Sequence, residues 1–510
     1  MRFKHKSKHI SGLVSLVIVD NFQVQKSIKR ILSSIEGNWR VVVCKNFYNF
    51  PKNKVGVNED YSLALSVKLK NELEIATSCC EIYLATSPDD RGYYNAYIIN
   101  NYLKHLKISV PVYRMNLPTI DDSCVSNAIL KKDIAYFSHR NILKYESRLA
   151  LDRLIKYHTN EFFLKYIPVA PNLESCSAII LDFIESMSSK VEVLKIGDYV
   201  DFIQLKKNDS LSYDCSYRFK KLKKSLSHND FMTKLGKYSK WVGTVKAIYE
   251  LYAKGIISFP TNSSNDFVSS QHKYISEKCS NKKWGMYCIN SIKDYSSLSD
   301  MARDVYFDLN YSTNSAIYKE TVSLGDSDLV FYPSHKIKDS VVSKGKKDSL
   351  GVSQKTLALF FDKICLPSKL WAYYMFSLVS NRLIVETSDI TYSITSLGKF
   401  ILYIVKRVLP RLLNEKSIIK INKGCNKKFI DDNEYFDFVE DRWSRVSIEL
   451  ADIDENFDLP NVKSRCLKCN NRLSLQITST DVYLKCLNNK CSNKDSIAIS
   501  YNGNKIESKE

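Results

Sequence analysis

Apolar and polar positions alternate in two registers along the first 130 residues, short β-rich runs separated by stretches of helical period. Leu16–Val19, Trp39–Cys44, Glu81–Thr86 and Val110–Met115 read as strands. Val24–Leu32 and Asn95–Leu106 carry apolar residues at helical spacing between them. Strands alternating with helices predict a mostly parallel sheet whose site lies in the loops at the strand ends. Beyond residue 130 the helical period dominates. It predicts helices in Arg148–Tyr157, Ala178–Glu185, Val242–Lys254, Leu350–Val379 and Ser396–Leu413. The reading is a multidomain α/β plus mainly α chain.

Length and charge sharpen this. At 510 residues the chain exceeds one core and predicts three or four domains. The apolar fraction of 44% and charged fraction of 25% are those of a globular protein. The longest apolar stretch, Leu370–Val379, is too short to span a bilayer. Leu13–Val19 ends at Asp20 without a small-residue cleavage site, which predicts a strand rather than a secretory signal. The net charge of +20, from 75 Lys+Arg against 55 Asp+Glu, favours a polyanionic partner, nucleic acid before membrane. Arg218, Lys220, Lys221, Lys223 and Lys224 interleave with Tyr217 and Phe219, a pattern in which cations follow phosphates and rings stack bases.

Cysteine spacing adds a metal. Cys466 and Cys469 precede Cys486 and Cys491 by sixteen intervening residues, with Leu473–Ile477 and Val482–Leu484 as a hairpin between them. Two such pairs supply four thiolates to tetrahedral Zn²⁺, and four Cys leave no open position, so the expected role is structural. The remaining ten cysteines have no regular spacing, as expected of reduced thiols in the cytoplasm.

Several segments, in order, resemble the type IA DNA topoisomerases. Gly255-Ile256-Ile257-Ser258-Phe259 follows a helix and resembles the strand carrying that family's nucleophile, a Gly-hydrophobic-Ile-Thr/Ser-Tyr-x-Arg-Thr-Asp-Ser pattern. The Tyr position is Phe259 and the Arg position is Thr261. Asp20 falls where the family's metal-binding Toprim module has a Glu. Its Asp-x-Asp-x-Glu-Gly run reads Ser87, Asp89, Arg91 and Gly92, after a matching Leu84-Ala85-Thr86 and around Pro88. Arg148 and Asp152 keep the places of an Arg/Asp helix beside the family's active site, and the resemblance implies that they contact DNA. Leu173-Glu174-Ser175-Cys176 replaces its Gly-Arg-Val-Gln segment. His335 is similar in place to its histidine, Thr395–Gly398 to its Thr-x-Leu-Gly element, and the four Cys to its ribbon, which binds single-stranded DNA.

The resemblance implies a Toprim-like parallel-sheet domain (12–134) and a toroidal central body (135–450) with its nucleophile strand at 255–264. A linker (451–463) and a zinc ribbon (464–495) follow. Departures fall on chemistry: nucleophile, its Arg neighbour, and two metal carboxylates. A phenyl ring cannot form a phosphotyrosine, and the lost carboxylates argue against Mg²⁺; Arg91 is expected to neutralise Asp20 and Asp89 in its place. The expected function is binding of single-stranded or underwound DNA with strand cleavage lost. The expected setting is the cytoplasm at the nucleoid, beside an active topoisomerase or another DNA-processing protein. The alternatives are an active topoisomerase with relocated groups, and a protein-interaction subunit that no longer touches DNA.

Overall fold

The computed structural model describes residues 14–45, 47, 54–64, 66, 69, 73–187, 191–196, 199–205, 241–259, 295–314, 320–324, 327–331, 342–347, 351–386, 391–454, 465–466, 468–479, 481–488, 490–491, 499–502 and 505–508. Four parallel strands open the fold, β1 (Val14–Val19), β2 (Trp39–Val43), β3 (Cys79–Leu84) and β4 (Val112–Arg114), in the order β2-β1-β3-β4. Leu16, Val17, Ile18 and Val19 are all buried, as a strand covered on both faces requires. Helices α1 (Phe22–Leu32) and α2 (Asp90–His105) flank the sheet, and α3 (Asp122–Lys131) follows β4. The adjacency of β1 and β3 brings the two loops that follow them side by side.

The helix after β3 begins at Asp90, five residues before its expected start. Asp89 explains the difference: its carboxylate accepts from the Gly92 N–H at 2.7 Å and caps the first turn. Gly92 is fixed by packing, since a Cβ there would collide with the Ser87 carbonyl.

The long helix α4 (His139–Leu164) is the spine of the rest; its 26 residues span about 39 Å. It packs on α2 and on the later α11 (Glu415–Asn426) and α12 (Asp432–Asp454). Helix α5 (Ser177–Met187) is followed by β5 (Val191–Ile196), β6 (Tyr199–Leu205), α6 (Trp241–Ala253) and α7 (Asp300–Asn314). Strands β7 (Glu320–Leu324), β8 (Ser327–Phe331), β9 (Val342–Lys347) and β10 (Val352–Ser353) come next. The expected helical stretch 350–379 is two helices, α8 (Gln354–Lys363) and α9 (Ser368–Ser380). They are parted by Cys365 at φ 55° and by Pro367, which cannot continue a helix from behind. Strands β11 (Ile384–Glu386) and β12 (Thr391–Ile394) lead to α10 (Ser396–Val408), which Pro410 ends five residues short of expectation. The linker expected from residue 451 is helical as far as Asp454.

The C-terminal hairpin β13 (Leu473–Ile477) and β14 (Val482–Cys486) packs on α10. Ser396 Oγ ties it there, donating to Asp481 and accepting from the Val482 N–H at 3.1 Å. A further hairpin, β15 (Ile499–Asn502) and β16 (Lys505–Ser508), is the last element described. No helix among the described residues is long and apolar enough to cross a membrane.

Candidate functional site

Asp20 leaves the end of β1 and meets the loop after β3. Its carboxylate accepts from the Ser87 N–H at 3.2 Å, from Ser87 Oγ at 3.1 Å and from Asn95 Nδ2 at 3.4 Å. Beneath the same loop lies Arg114, the last residue of β4. Its Nη1 donates to the carbonyls of Leu84 (2.6 Å) and Met115 (3.2 Å), and its Nη2 to those of Thr86 and Ser87 (3.0 Å each). Burial pushes the Arg114 guanidinium down to about 10, against the pull of Asp20 and Asp89, so it stays charged at neutral pH. Arg91 keeps solvent access at the rim of this cleft. Nearby protein mass costs its charge some hydration, but Tyr145, Asp89, Tyr249 and Asp20 outweigh this and raise its pKa.

Phe259 follows α6 and packs on Tyr249, a residue in the field of Asp89, Arg91 and Asp20. Gly255 ends the helix at φ +70°, where a Cβ would also strike the Ile120 carbonyl. The chain then turns onto the N-terminal domain, and the Phe259 N–H donates to the Pro118 carbonyl at 2.8 Å. The expected strand 255–264 is described only to Phe259 and forms no extended ladder up to that point. The Phe259 ring is 1% exposed and stands edge-on to both Tyr249 and Tyr252, with centroids 5.8 and 5.0 Å away. Tyr252 spends its hydroxyl on the Leu117 carbonyl at 2.6 Å. Burial raises the Tyr249 phenol, next the charge of Asp89 raises it, while Arg91 draws it down.

Arg148 and Asp152, expected to meet DNA, are joined inside the protein by Ser175. Arg148 is 7% exposed; it donates to Ser175 Oγ at 3.1 Å and to Asn422 Oδ1 at 2.6 Å. Ser175 donates in turn to Asp152 through both Oγ and its N–H (3.1 Å), and Tyr374 adds a hydroxyl at 3.1 Å. Glu174, a neighbour on the same segment, is 2% exposed, with Oε1 held by Tyr373 at 2.7 Å and Lys156 at 3.3 Å. Its Oε2 is buried without a hydrogen-bond partner. Burial, reinforced by Asp152, pushes this carboxyl up to about 7.

At the C-terminal hairpin, Cys466, Cys469, Cys486 and Cys491 bring their sulfurs within 4.8 Å of one another. Cys466 lies 3.7 Å from Cys491 and Cys469 lies 3.4 Å from Cys486, Sγ to Sγ. A ZnS₄ tetrahedron with bonds near 2.3 Å has edges of about 3.8 Å. These four residues could therefore hold a metal ion such as zinc.

The fold has a known counterpart. The chain matches full-length topoisomerase I from Thermotoga maritima with a TM-score of 0.65, over 96% of this chain and 100% of that one, at 12% sequence identity. At that identity the likeness is one of fold. No protein-family model and no curated protein matches the sequence.

His335, Arg218, Lys220, Lys221, Lys223 and Lys224 lie outside the described residues. Three features of the site escaped the sequence. One is Arg114, for which a lone cation inside the apolar run 110–115 is a signal. Another is the Ser175–Tyr374 bridge, which joins residues 199 positions apart and leaves none. The third is a cavity of about 700 Å³ between α4, α9 and α10. Arg153, Tyr157, Asn160, Asn172, Asn381 and Arg382 line it together with the acidic Glu161, and Ser479 of the hairpin turn reaches its edge. The Arg153 guanidinium lies over the Tyr157 ring at 5.4 Å from its centroid.

Proposed function

We propose that this chain binds single-stranded or underwound DNA on a type IA topoisomerase scaffold and no longer cleaves it. The observation that carries the reading is Phe259. It follows α6 where the resemblance calls for a nucleophilic oxygen, packs on Tyr249 in the field of Asp89 and Asp20, and presents a buried phenyl ring. Loss of essential groups costs several orders of magnitude in rate, and Ser87 and Arg91 replace two more of them.

Support for DNA comes from three sides. The net charge is +20. The fold is that of a topoisomerase I. The cavity at Tyr157 brings an aromatic ring and two guanidiniums together, groups that stack on an unstacked base, beside one carboxylate, Glu161, and three asparagines already bonded to one another. In this reading Arg148 and Asp152 lock the helices beneath the cleft, and the four cysteines hold a structural Zn²⁺. The protein works in the cytoplasm beside an active topoisomerase or other DNA-processing protein.

Relaxation of negatively supercoiled plasmid in Mg²⁺ tests this. The expected result is plasmid retained in complex with its topoisomers unchanged. The rival reading of an active enzyme would need another phenol, and Tyr249 lies in the field of Arg91, Asp89 and Asp20, although burial and Asp89 hold it protonated. A covalent protein–DNA adduct that disappears in Tyr249→Phe would establish that rival and end the first reading.

A further inference from the structure

The metal module implied by the resemblance needs clustered anionic oxygens, because Mg²⁺ takes hard ligands in octahedral array. The side chains present do not fit it. Asp20 already serves Ser87 and Asn95. Asp89 caps α2 through the Gly92 N–H. Asp90, the remaining acid of this loop, pairs with Lys144 at 3.7 Å. Ser87 and Arg91 fill the other positions of the run.

Two guanidiniums balance the two carboxylates. Arg91 lies at the rim, in the field of Asp89 and Asp20. Arg114 lies below, in the field of the same pair, and its four carbonyl contacts fix it to the loop that carries them. A dication entering here would meet two resident cations at a site with no net negative charge from these four groups. A guanidinium, unlike a bound ion, is tethered by the chain and cannot dissociate.

We propose that Arg91 and Arg114 are the permanent counter-ions of Asp20 and Asp89, so that this site takes no divalent cation and DNA binding needs none. The metal part stands on these residues alone; the DNA part rests on the proposed function.

Mn²⁺, titrated into the full-length zinc-loaded protein and followed by the paramagnetic signal of the free ion, tests the metal part. The expected result is the same titration for wild type and Asp20→Asn. Binding of one Mn²⁺ by wild type that Asp20→Asn removes would overturn the assignment. Arg91→Glu, which restores a carboxylate, is expected to gain an Mn²⁺ site that Asp20→Asn removes; a folded variant that gains none also counts against it. Should Arg91→Glu not fold, the wild-type and Asp20→Asn pair decides alone. Anisotropy of a labelled oligothymidylate, at constant ionic strength in EDTA or MgCl₂, tests the DNA part. Affinities within about twofold are expected, and tightening of about tenfold by Mg²⁺, lost in Asp20→Asn, would overturn it. Failure to bind DNA in either buffer would reject the proposed function, while the Mn²⁺ result still judges the counter-ions.

Discussion

The ring of Phe259 stands edge-on to that of Tyr252, their centroids 5.0 Å apart and their planes at 78°. This is a packing relationship between a ring that has no polar atom and one whose hydroxyl is already committed to Leu117. Phe259→Tyr adds a hydroxyl at a position that is 1% exposed. A buried hydroxyl without a partner costs roughly 1–3 kcal/mol. The variant is therefore expected to unfold at lower denaturant concentration and still to leave plasmid topology unchanged. Chemical denaturation and a topoisomer gel check the two halves; relaxation by Phe259→Tyr would show that the rest of the catalytic set survives.

Glu174 makes stability depend on pH. Its carboxyl is pushed from the ordinary 4.5 to about 7, so across that interval the folded protein holds a proton that the unfolded chain has released. Stability contributed by this group is present below pH 4.5 and is lost as pH rises through about 7. In Glu174→Gln the slope over this window is expected to lose the part that Glu174 contributes, leaving that of groups such as Glu146 and His158. At pH 8 the variant should be the more stable by roughly 1–3 kcal/mol, the broken contact with Lys156 offsetting part of the gain. Urea unfolding of both proteins at a series of pH values measures this, and an unchanged slope in the variant would refute the assignment.

The hairpin offers a separate handle, because its four thiols are the described residues placed to hold a metal. Metal analysis is expected to find one zinc per chain, released with a chelator and absent in Cys466→Ser. Loss of the ion leaves Leu473, Val482 and Leu484 as the hairpin's own buried apolar residues, too few to order it alone. The exchange of its amides with solvent should rise in Cys466→Ser while those of β1 stay protected. A hairpin equally protected without zinc would remove the structural role.

How far the chain could be read in advance follows the range of the interactions concerned. The parallel sheet was legible, because Leu16–Val19 and its partner runs carry their burial in their own composition. The four cysteines were legible from spacing alone. The start of α2 was not, because Pro88 and Gly92 signal a turn and only Asp89's capping bond extends the helix back to Asp90. Nor was the fate of Arg148 and Asp152. The resemblance put them on DNA, whereas Ser175, Tyr374 and Asn422, remote in sequence, take their bonds. Arg114 belongs to the same class: its partners Leu84, Thr86 and Ser87 are carbonyls, which no side-chain pattern reports.

Tyr157 and Arg153 connect that hidden architecture to DNA. One turn of α4 sets the guanidinium over the ring, and the guanidinium is itself held by the Val55 carbonyl at 2.6 Å, so the ring's face is fixed before any ligand arrives. A preordered aromatic face contributes about 1–3 kcal/mol per stacked base, with little preference among bases. Tyr157→Ala is therefore expected to weaken binding of a single-stranded oligonucleotide about 5- to 150-fold, whereas Tyr157→Phe keeps the ring and should bind nearly as wild type. The slope of affinity against salt should not change in either, since no phosphate contact is removed. Anisotropy titrations over a range of KCl separate these effects. A Tyr157→Ala protein that keeps wild-type affinity would move the base site elsewhere, and one that loses affinity together with salt slope would make the cavity a phosphate site held by Arg153 and Arg382.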